Sequence, residues 1–358
     1  MGIEDLARPE IVAMKPYSSA RKEAPGQGIL LNANEAPRPL LSQPGRLNRY
    51  PEPQPAELVA RLASLYDVRP DQILVTRGSD EGIDLLVRVF CRAGQDAIMQ
   101  CPPTFGMYRI AARTQGADTV SVLRSAGQEF KLDQESVLEA FAGDSRIKLV
   151  FLTSPNNPTG DSIGRDFLRR LLELSRNRAI VVLDEAYIEF CASPSASDLI
   201  AEYENLVVLR TMSKAWAAAG LRCGSVLAQS SVIALLQRVI APYPLPSPVL
   251  SLALRMLDET MLEQQQLLMQ EIRENKGVLI HLLDNRKFIR QVIPGDANFV
   301  LVAVDDAAGL LSYCARKGVI LRGFPADPLL QNYLRISVGS KPELEKLASV
   351  FDAWENGR

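Results

Sequence analysis

The sequence predicts an α/β protein in which a mostly parallel sheet lies between helices, followed by a smaller α+β domain. Three observations carry this. From about residue 71 to 228, short apolar runs alternate with helical patterns, as βαβ units require. Prolines at Pro242, Pro244, Pro246 and Pro248 then interrupt the chain, because proline cannot supply the N–H that a helix interior needs. A length of 358 residues suits one large and one small domain better than a single core. The expected division is an arm over 1–45 that also contributes to the small domain, a large domain over 46–245 and a small one over 246–358.

Residues 1–50 are proline-rich and read as an irregular arm lying across the body or a partner subunit. Strands are expected at 73–76, 96–100, 119–123, 149–153, 180–183, 206–210 and 224–228, where apolar residues run together. The helix beginning near Asp80 sets Ile83, Leu86, Val87 and Phe90 on one face. Residues 241–250 cannot form a regular helix and read as a boundary. One long polar helix over 251–284 follows, with 263–270 facing solvent or bridging the domains. Strands at 299–304, 319–321 and 334–338, with helices around Leu311 and Leu344, complete the small domain.

Composition narrows the function. Hydrophobic residues at 47%, charged residues at 23% and a net charge of −2 give no reason to expect nucleic acid or an anionic membrane as partner. No apolar stretch is long enough to span a bilayer. The first residues carry early acidic groups and no apolar signal core, so a cytoplasmic protein is expected. Five scattered cysteines without a C-x-x-C pair, and His281 as the only histidine, argue against a metal site. Reduced core thiols explain the cysteines. A lone histidine also argues against a Ser-His-Asp mechanism, since a base with no orienting partner is a poor catalyst.

The polar residues of interest fall after expected strands, where open α/β sheets bind ligands. After 73–76 comes RGSDEG, with Ser79 as a candidate helix cap and backbone N–H groups suited to an anion; taken by itself, an ordinary capped helix is the better reading there. CPPTFGMY presents Phe105, either a core ring or one that stacks on a flat heteroaromatic. SPNNPTG is a rigid turn that aims the amide of Asn157, although turn chemistry leaves its two adjacent asparagines unexplained. Asp184 ends the apolar run AIVVL, and a carboxylate there is costly unless paired. Tyr187 follows it. Lys214 lies in the small-residue run TMSKAWAAAGLRCG, flanked by Ser213 and Arg222. A lysine able to form a Schiff base, an aspartate for a pyridine nitrogen and an arginine for a phosphate together point to pyridoxal phosphate.

These motifs resemble the fold-type I pyridoxal-phosphate enzymes of the aspartate aminotransferase superfamily. LNANEAP (31–37), NRYPEPQP (48–55) and APYPLPSPV (241–249) are similar to the histidinol-phosphate aminotransferase group, and the likeness runs to about residue 340. The resemblance implies a mixed seven-stranded sheet. It implies that Lys214 is the Schiff-base lysine and proton shuttle, that Asp184 binds the ring nitrogen, and that Asn157 and Tyr187 bind the ring oxygen. Ser79, Asp80, Ser213 and Arg222 would hold the phosphate, joined by Tyr50 from the neighbouring subunit of a homodimer with shared active sites. Arg335 and Arg322 would bind substrate carboxylate and phosphate, with Tyr17 and Asn34 as further contacts. Phe105 stands where relatives often have tyrosine, which keeps stacking and loses a hydroxyl. The implied reaction is a ping-pong amino transfer between L-histidinol phosphate and 2-oxoglutarate. An aromatic-amino-acid aminotransferase and a threonine-phosphate decarboxylase are the rival activities on this scaffold.

Overall fold

The structure is a computed structural model, and it describes residues 2–17, 29, 31–41 and 47–357. Seven strands form one sheet in the order β1-β7-β6-β5-β4-β2-β3. They are β1 Ile73–Thr76, β2 Ala97–Gln100, β3 Asp118–Ser121, β4 Ile147–Thr153, β5 Ile180–Asp184, β6 Leu206–Thr211 and β7 Gly224–Ala228. All neighbours are parallel except those of β7, which runs antiparallel to both β1 and β6. The reason is local. Only the Lys214 segment joins β6 to β7, and it holds a single short 3₁₀ turn, Ala219–Leu221. A parallel return needs a crossover helix, so the chain reverses instead.

That reversal places the site. Thr76 and Thr211 are both register partners of Gly224, and Thr153 is the partner of Asp184. The carboxyl ends of β1, β4, β5 and β6 therefore share one edge of the sheet. Alternate residues feed two cores, one on each face. Val75, Met99, Leu152 and Leu183 pack on one side; Leu74, Ile98, Phe151 and Val182 pack on the other. This two-faced burial is what sheets covered by helices require. Ile83, Leu86, Val87 and Phe90 of the helix Ser79–Phe90 are all buried, as their spacing predicts.

A second sheet, in the order β10-β11-β9-β8, is antiparallel throughout. It comprises β8 Ile289–Ile293, β9 Phe299–Val304, β10 Arg322–Gly323 and β11 Tyr333–Ser337. Val300, Val302, Leu334 and Ile336 pack against Leu279, Leu310, Leu347 and Phe351 of the helices Glu259–Asp284, Ala307–Arg316 and Lys341–Asn356.

Several expectations need correction. The helix expected over 251–284 is two helices, Ser247–Met256 and Glu259–Asp284, with Asp258 at the N-cap position of the second. The first tolerates Pro248 because it lies in the opening turn, where an N–H has no partner anyway. The strand expected at 319–321 lies at Arg322–Gly323, and β8 was not anticipated. Both are sheet edges, and polar edge residues such as Arg290 and Gln291 dilute the apolar signal. Nor is the start wholly irregular. A 3₁₀ turn Ile3–Leu6 and the helix Pro9–Ala13 bury Ile3, Leu6, Ala7 and Ile11 in the core. Ser79 is the first helical residue, and Gly78 takes the N-cap position. Of the cysteines, Cys91, Cys101, Cys223 and Cys314 are buried free thiols and Cys191 is half-buried.

Candidate active site

A cavity of about 640 Å³ opens at the shared edge of the large sheet and is closed on its other side by β10 and β11. Its lining includes Ser79, Asp80, Phe105, Asn157, Asp184, Tyr187, Ser213, Lys214, Arg222, Arg322 and Arg335. These are residues that the sequence separates by more than two hundred positions.

One end is an anion cradle. The helix from Ser79 presents its N-terminus, where backbone N–H groups lack intrahelical partners. The Arg222 guanidinium lies alongside, donating to Asp80 Oδ2 (3.0 Å) and to Ser213 Oγ (3.2 Å). Arg222 itself sits in the left-handed region (φ 55°). Glycine is obligatory around it. A Cβ on Gly78, which has φ 77°, would stand 2.6 Å from the Arg222 guanidinium, and one on Gly224 would stand 2.5 Å from the Gly78 carbonyl carbon. The two glycines thus let two strand ends and an arginine converge on one small anion.

The middle of the cavity holds Lys214 and Asp184. Burial and the neighbouring Arg335 lower the Lys214 pKa, against the pull of Asp80 and Asp184. The ammonium lies 5.5 Å from the centre of the Tyr187 ring. Asp184 is 2% exposed, and burial lifts its carboxyl to about 6. Hydrogen bonds from the Tyr108 hydroxyl (2.7 Å, to Oδ2) and the Ala186 N–H (3.1 Å, to Oδ1) oppose that rise. Tyr187 is buried, and its hydroxyl is pushed up to about 12, chiefly by burial, so it stays protonated. The Asn157 amide donates to the Tyr187 hydroxyl at 3.4 Å. Phe105 borders the cavity and meets Tyr108 edge-on.

The far wall is cationic. Arg335 donates to Asn157 Oδ1 (2.5 Å) and lies 5.2 Å from the centre of the Phe299 ring. Arg322 is its register partner across β10 and β11, exposed and near the Phe324 ring. Burial lowers the Arg335 pKa, and the charge on Arg322 lowers it further.

Three expected contacts do not line this cavity. Tyr17 is 68% exposed, Asn34 holds a left-handed backbone (φ 54°) on the arm, and Tyr50 stacks on Tyr243 at 4.4 Å. Sequence reasoning missed two buried residues that lie behind the cavity lining. Tyr108 lies in the first turn of the helix Met107–Gln115, three residues after Phe105. Asn156 is the neighbour that turn chemistry left unexplained. It is fully buried, accepts from Thr104 (2.8 Å) and donates to the Pro103 carbonyl (2.9 Å) and Thr159 (2.7 Å).

Comparison with known proteins decides the family. The model of aminotransferase class I and II matches residues 21–351. The chain belongs to the class I and II aminotransferases. A histidinol-phosphate aminotransferase of Aeromonas salmonicida is 46% identical over 353 residues, covering 98% of each chain. The histidinol-phosphate aminotransferase from Clostridium acetobutylicum shares the fold at a TM-score of 0.78 and 22% identity, over 87% of this chain and 92% of that one. Another, from Sinorhizobium meliloti in complex with pyridoxal-5'-phosphate, gives 0.75 at 21%, over 86% and 83%. Pyridoxal phosphate is the cofactor of this family, and this aminotransferase has the donors to hold it. A buried carboxylate, a lysine of lowered pKa and a glycine-lined anion cradle share one cavity.

Proposed function

We propose that this aminotransferase moves an amino group between L-histidinol phosphate and 2-oxoglutarate, in histidine biosynthesis, by a ping-pong mechanism. The observation that carries the specificity is the pair of arginines, Arg322 and Arg335, side by side on the wall facing Lys214. Such a pocket accepts a carboxylate from glutamate or a phosphate from histidinol phosphate, since guanidinium groups bind both in bidentate fashion. Relatives bearing that name over nearly the whole chain support the reading.

Bound pyridoxal phosphate supplies a ring that takes up the electrons released when the substrate's Cα–H bond breaks. The chain's residues do the rest. Ser213, Arg222 and the Ser79 and Asp80 N–H groups at the helix N-terminus would anchor the phosphate. Asp184 pairs with the ring nitrogen and keeps it protonated. Asn157 and Tyr187 would supply donors for the ring oxygen, and Phe105 an apolar surface for the ring. Lys214 would hold the cofactor covalently and would be the base that moves the proton at the substrate Cα. A lysine with its pKa lowered by burial is a better base near neutral pH.

The division at 1–45, 46–245 and 246–358 belongs to this reading, with the cavity between the second and third parts. So does a cytoplasmic homodimer in which Tyr50, Tyr17 and Asn34 reach the partner's site. In support, Tyr17, Ile29, Leu31 and Leu40 are exposed along the arm, apolar side chains that a partner subunit would cover. Among the described residues no helix is long and apolar enough to cross a membrane. The functional test is turnover of L-histidinol phosphate with 2-oxoglutarate, scored as glutamate formed. Carbon dioxide release in place of glutamate would identify a decarboxylase, and preference for tyrosine or phenylalanine would identify an aromatic aminotransferase.

A further inference from the structure

Tyr108 lies beneath the cavity floor and is fully buried. Its ring stacks on Phe151 at 4.7 Å and meets Phe105 edge-on at 5.7 Å. A phenylalanine would make both contacts, so the hydroxyl is what needs a cause. That hydroxyl lies 2.7 Å from Asp184 Oδ2 and 2.7 Å from Thr153 Oγ1. An ionised carboxylate only accepts, so Tyr108 donates to Asp184 and Thr153 donates to Tyr108. Thr153 and Asp184 are register partners on β4 and β5, which fixes both ends of the relay to the sheet. Thr104 approaches Thr153 at 3.2 Å and donates to Asn156 at 2.8 Å. Asn156 in turn holds the Pro103 carbonyl and Thr159. Buried hydrogen bonds thereby run from Thr153 through Tyr108 to Asp184, while Thr104, its proton given to Asn156, only abuts Thr153.

We propose that Tyr108, oriented by Thr153, is a positioning residue that fixes the rotation of the Asp184 carboxylate and keeps it an ionised acceptor. The proposal rests on the reading in which Asp184 serves the ring nitrogen. Two further facts agree with it. Burial lifts the Asp184 carboxyl, and the Tyr108 bond is first among the groups that oppose the rise. The Tyr108 hydroxyl is itself raised well above its ordinary range by burial and the nearby carboxylate, so it remains a donor at any working pH.

Tyr108→Phe keeps both ring contacts and removes only the donor. In the full chain labelled with ¹³C-carboxyl aspartate, NMR should show the Asp184 midpoint moving to higher pH in this variant. With pyridoxal phosphate bound, kcat for the glutamate half-reaction should fall about tenfold or more, the scale of a lost charge-assisted hydrogen bond. The KM for glutamate should stay within about twofold, because the substrate does not touch Tyr108. Thr153→Val should give a smaller loss, and none on top of Tyr108→Phe, if it acts only through Tyr108. An unchanged Asp184 midpoint, or a kcat within about twofold of wild type, overturns the proposal. Full additivity of the two variants overturns the Thr153 step. A wild-type chain that fails to take up pyridoxal phosphate overturns the functional reading instead, and the NMR titration, which needs no cofactor, still decides whether Tyr108 governs Asp184.

Discussion

The two walls of the cavity are built on different terms. On the wall made by the large sheet, buried Asp184 and Thr153 both bond to the buried Tyr108 hydroxyl, and the strand ends that carry Asp184 and Thr153 are locked in register. On the opposite wall, Arg322 sits exposed on a strand of two residues, and Arg335 is held by one amide and one ring face. A rigid, satisfied network suits a group that stays bound through every cycle, because its geometry must not relax. A sparsely held cationic wall suits two different substrates in turn. Changes on the first wall should therefore remove chemistry, while changes on the second should re-sort substrates.

Lys214→Ala is the largest expected effect. Loss of the base should cost at least about 10²–10⁴-fold in turnover while leaving the fold intact by circular dichroism. Borohydride reduction of the native enzyme should place the cofactor on the peptide holding Lys214; label on another peptide would break the rigid-wall account.

Asp184→Asn comes next. It should still bind cofactor weakly and lose α-proton removal, since an unprotonated ring cannot absorb the electrons. The sign of the pH effect follows from the raised carboxyl. Before cofactor binds, the folded chain holds the Asp184 proton up to about pH 6. Below that pH the neutral acid cannot pair with a protonated nitrogen, so cofactor affinity should fall as pH drops through about 6. Fluorescence titration of cofactor against pH should show this in wild type and a flatter curve in Asp184→Asn.

On the softer wall, Arg335→Ala should damage both half-reactions. Truncating one partner of a desolvated, hydrogen-bonded charge pair costs about 2–5 kcal/mol. It should also move the Lys214 midpoint to higher pH, because Arg335 is the leading charge that lowers it. The alkaline displacement of the pH–rate profile measures that. Arg322→Ala should be smaller and selective, harming histidinol phosphate roughly tenfold more than glutamate. If both substrates suffered equally, or neither did, Arg322 would be an ordinary exposed arginine, worth about 0–1 kcal/mol.

What was legible in the sequence follows the same division. Strands β1, β4, β5 and β6 and the residues at their ends announced themselves, because a doubly buried strand is an apolar run and a polar residue ending it stands out. Asp184 and Lys214 are of this kind. Tyr108 was not, because an aromatic on a helix looks like core until its hydroxyl is seen to face a carboxylate. Asn156 stood out as unexplained by turn chemistry, but its role depends on buried bonds to Thr104, Pro103 and Thr159 that only the folded chain brings together. On the other wall, β8 and β10 are edge strands with mixed polarity, so one was missed and the other misplaced by a few residues. The pairing of Arg322 with Arg335 depends on that strand register.

The most direct measurement of the central claim is a single-turnover comparison on the wild-type enzyme loaded with pyridoxal phosphate. The cofactor's visible absorbance is followed after adding L-histidinol phosphate, L-histidinol or L-tyrosine at equal concentration. The account predicts rapid loss of the signal with histidinol phosphate and a rate lower by about 10²-fold or more with histidinol. That is the scale of a desolvated charge pair left without its phosphate. Equal rates with histidinol and histidinol phosphate, or a faster reaction with tyrosine, would contradict it.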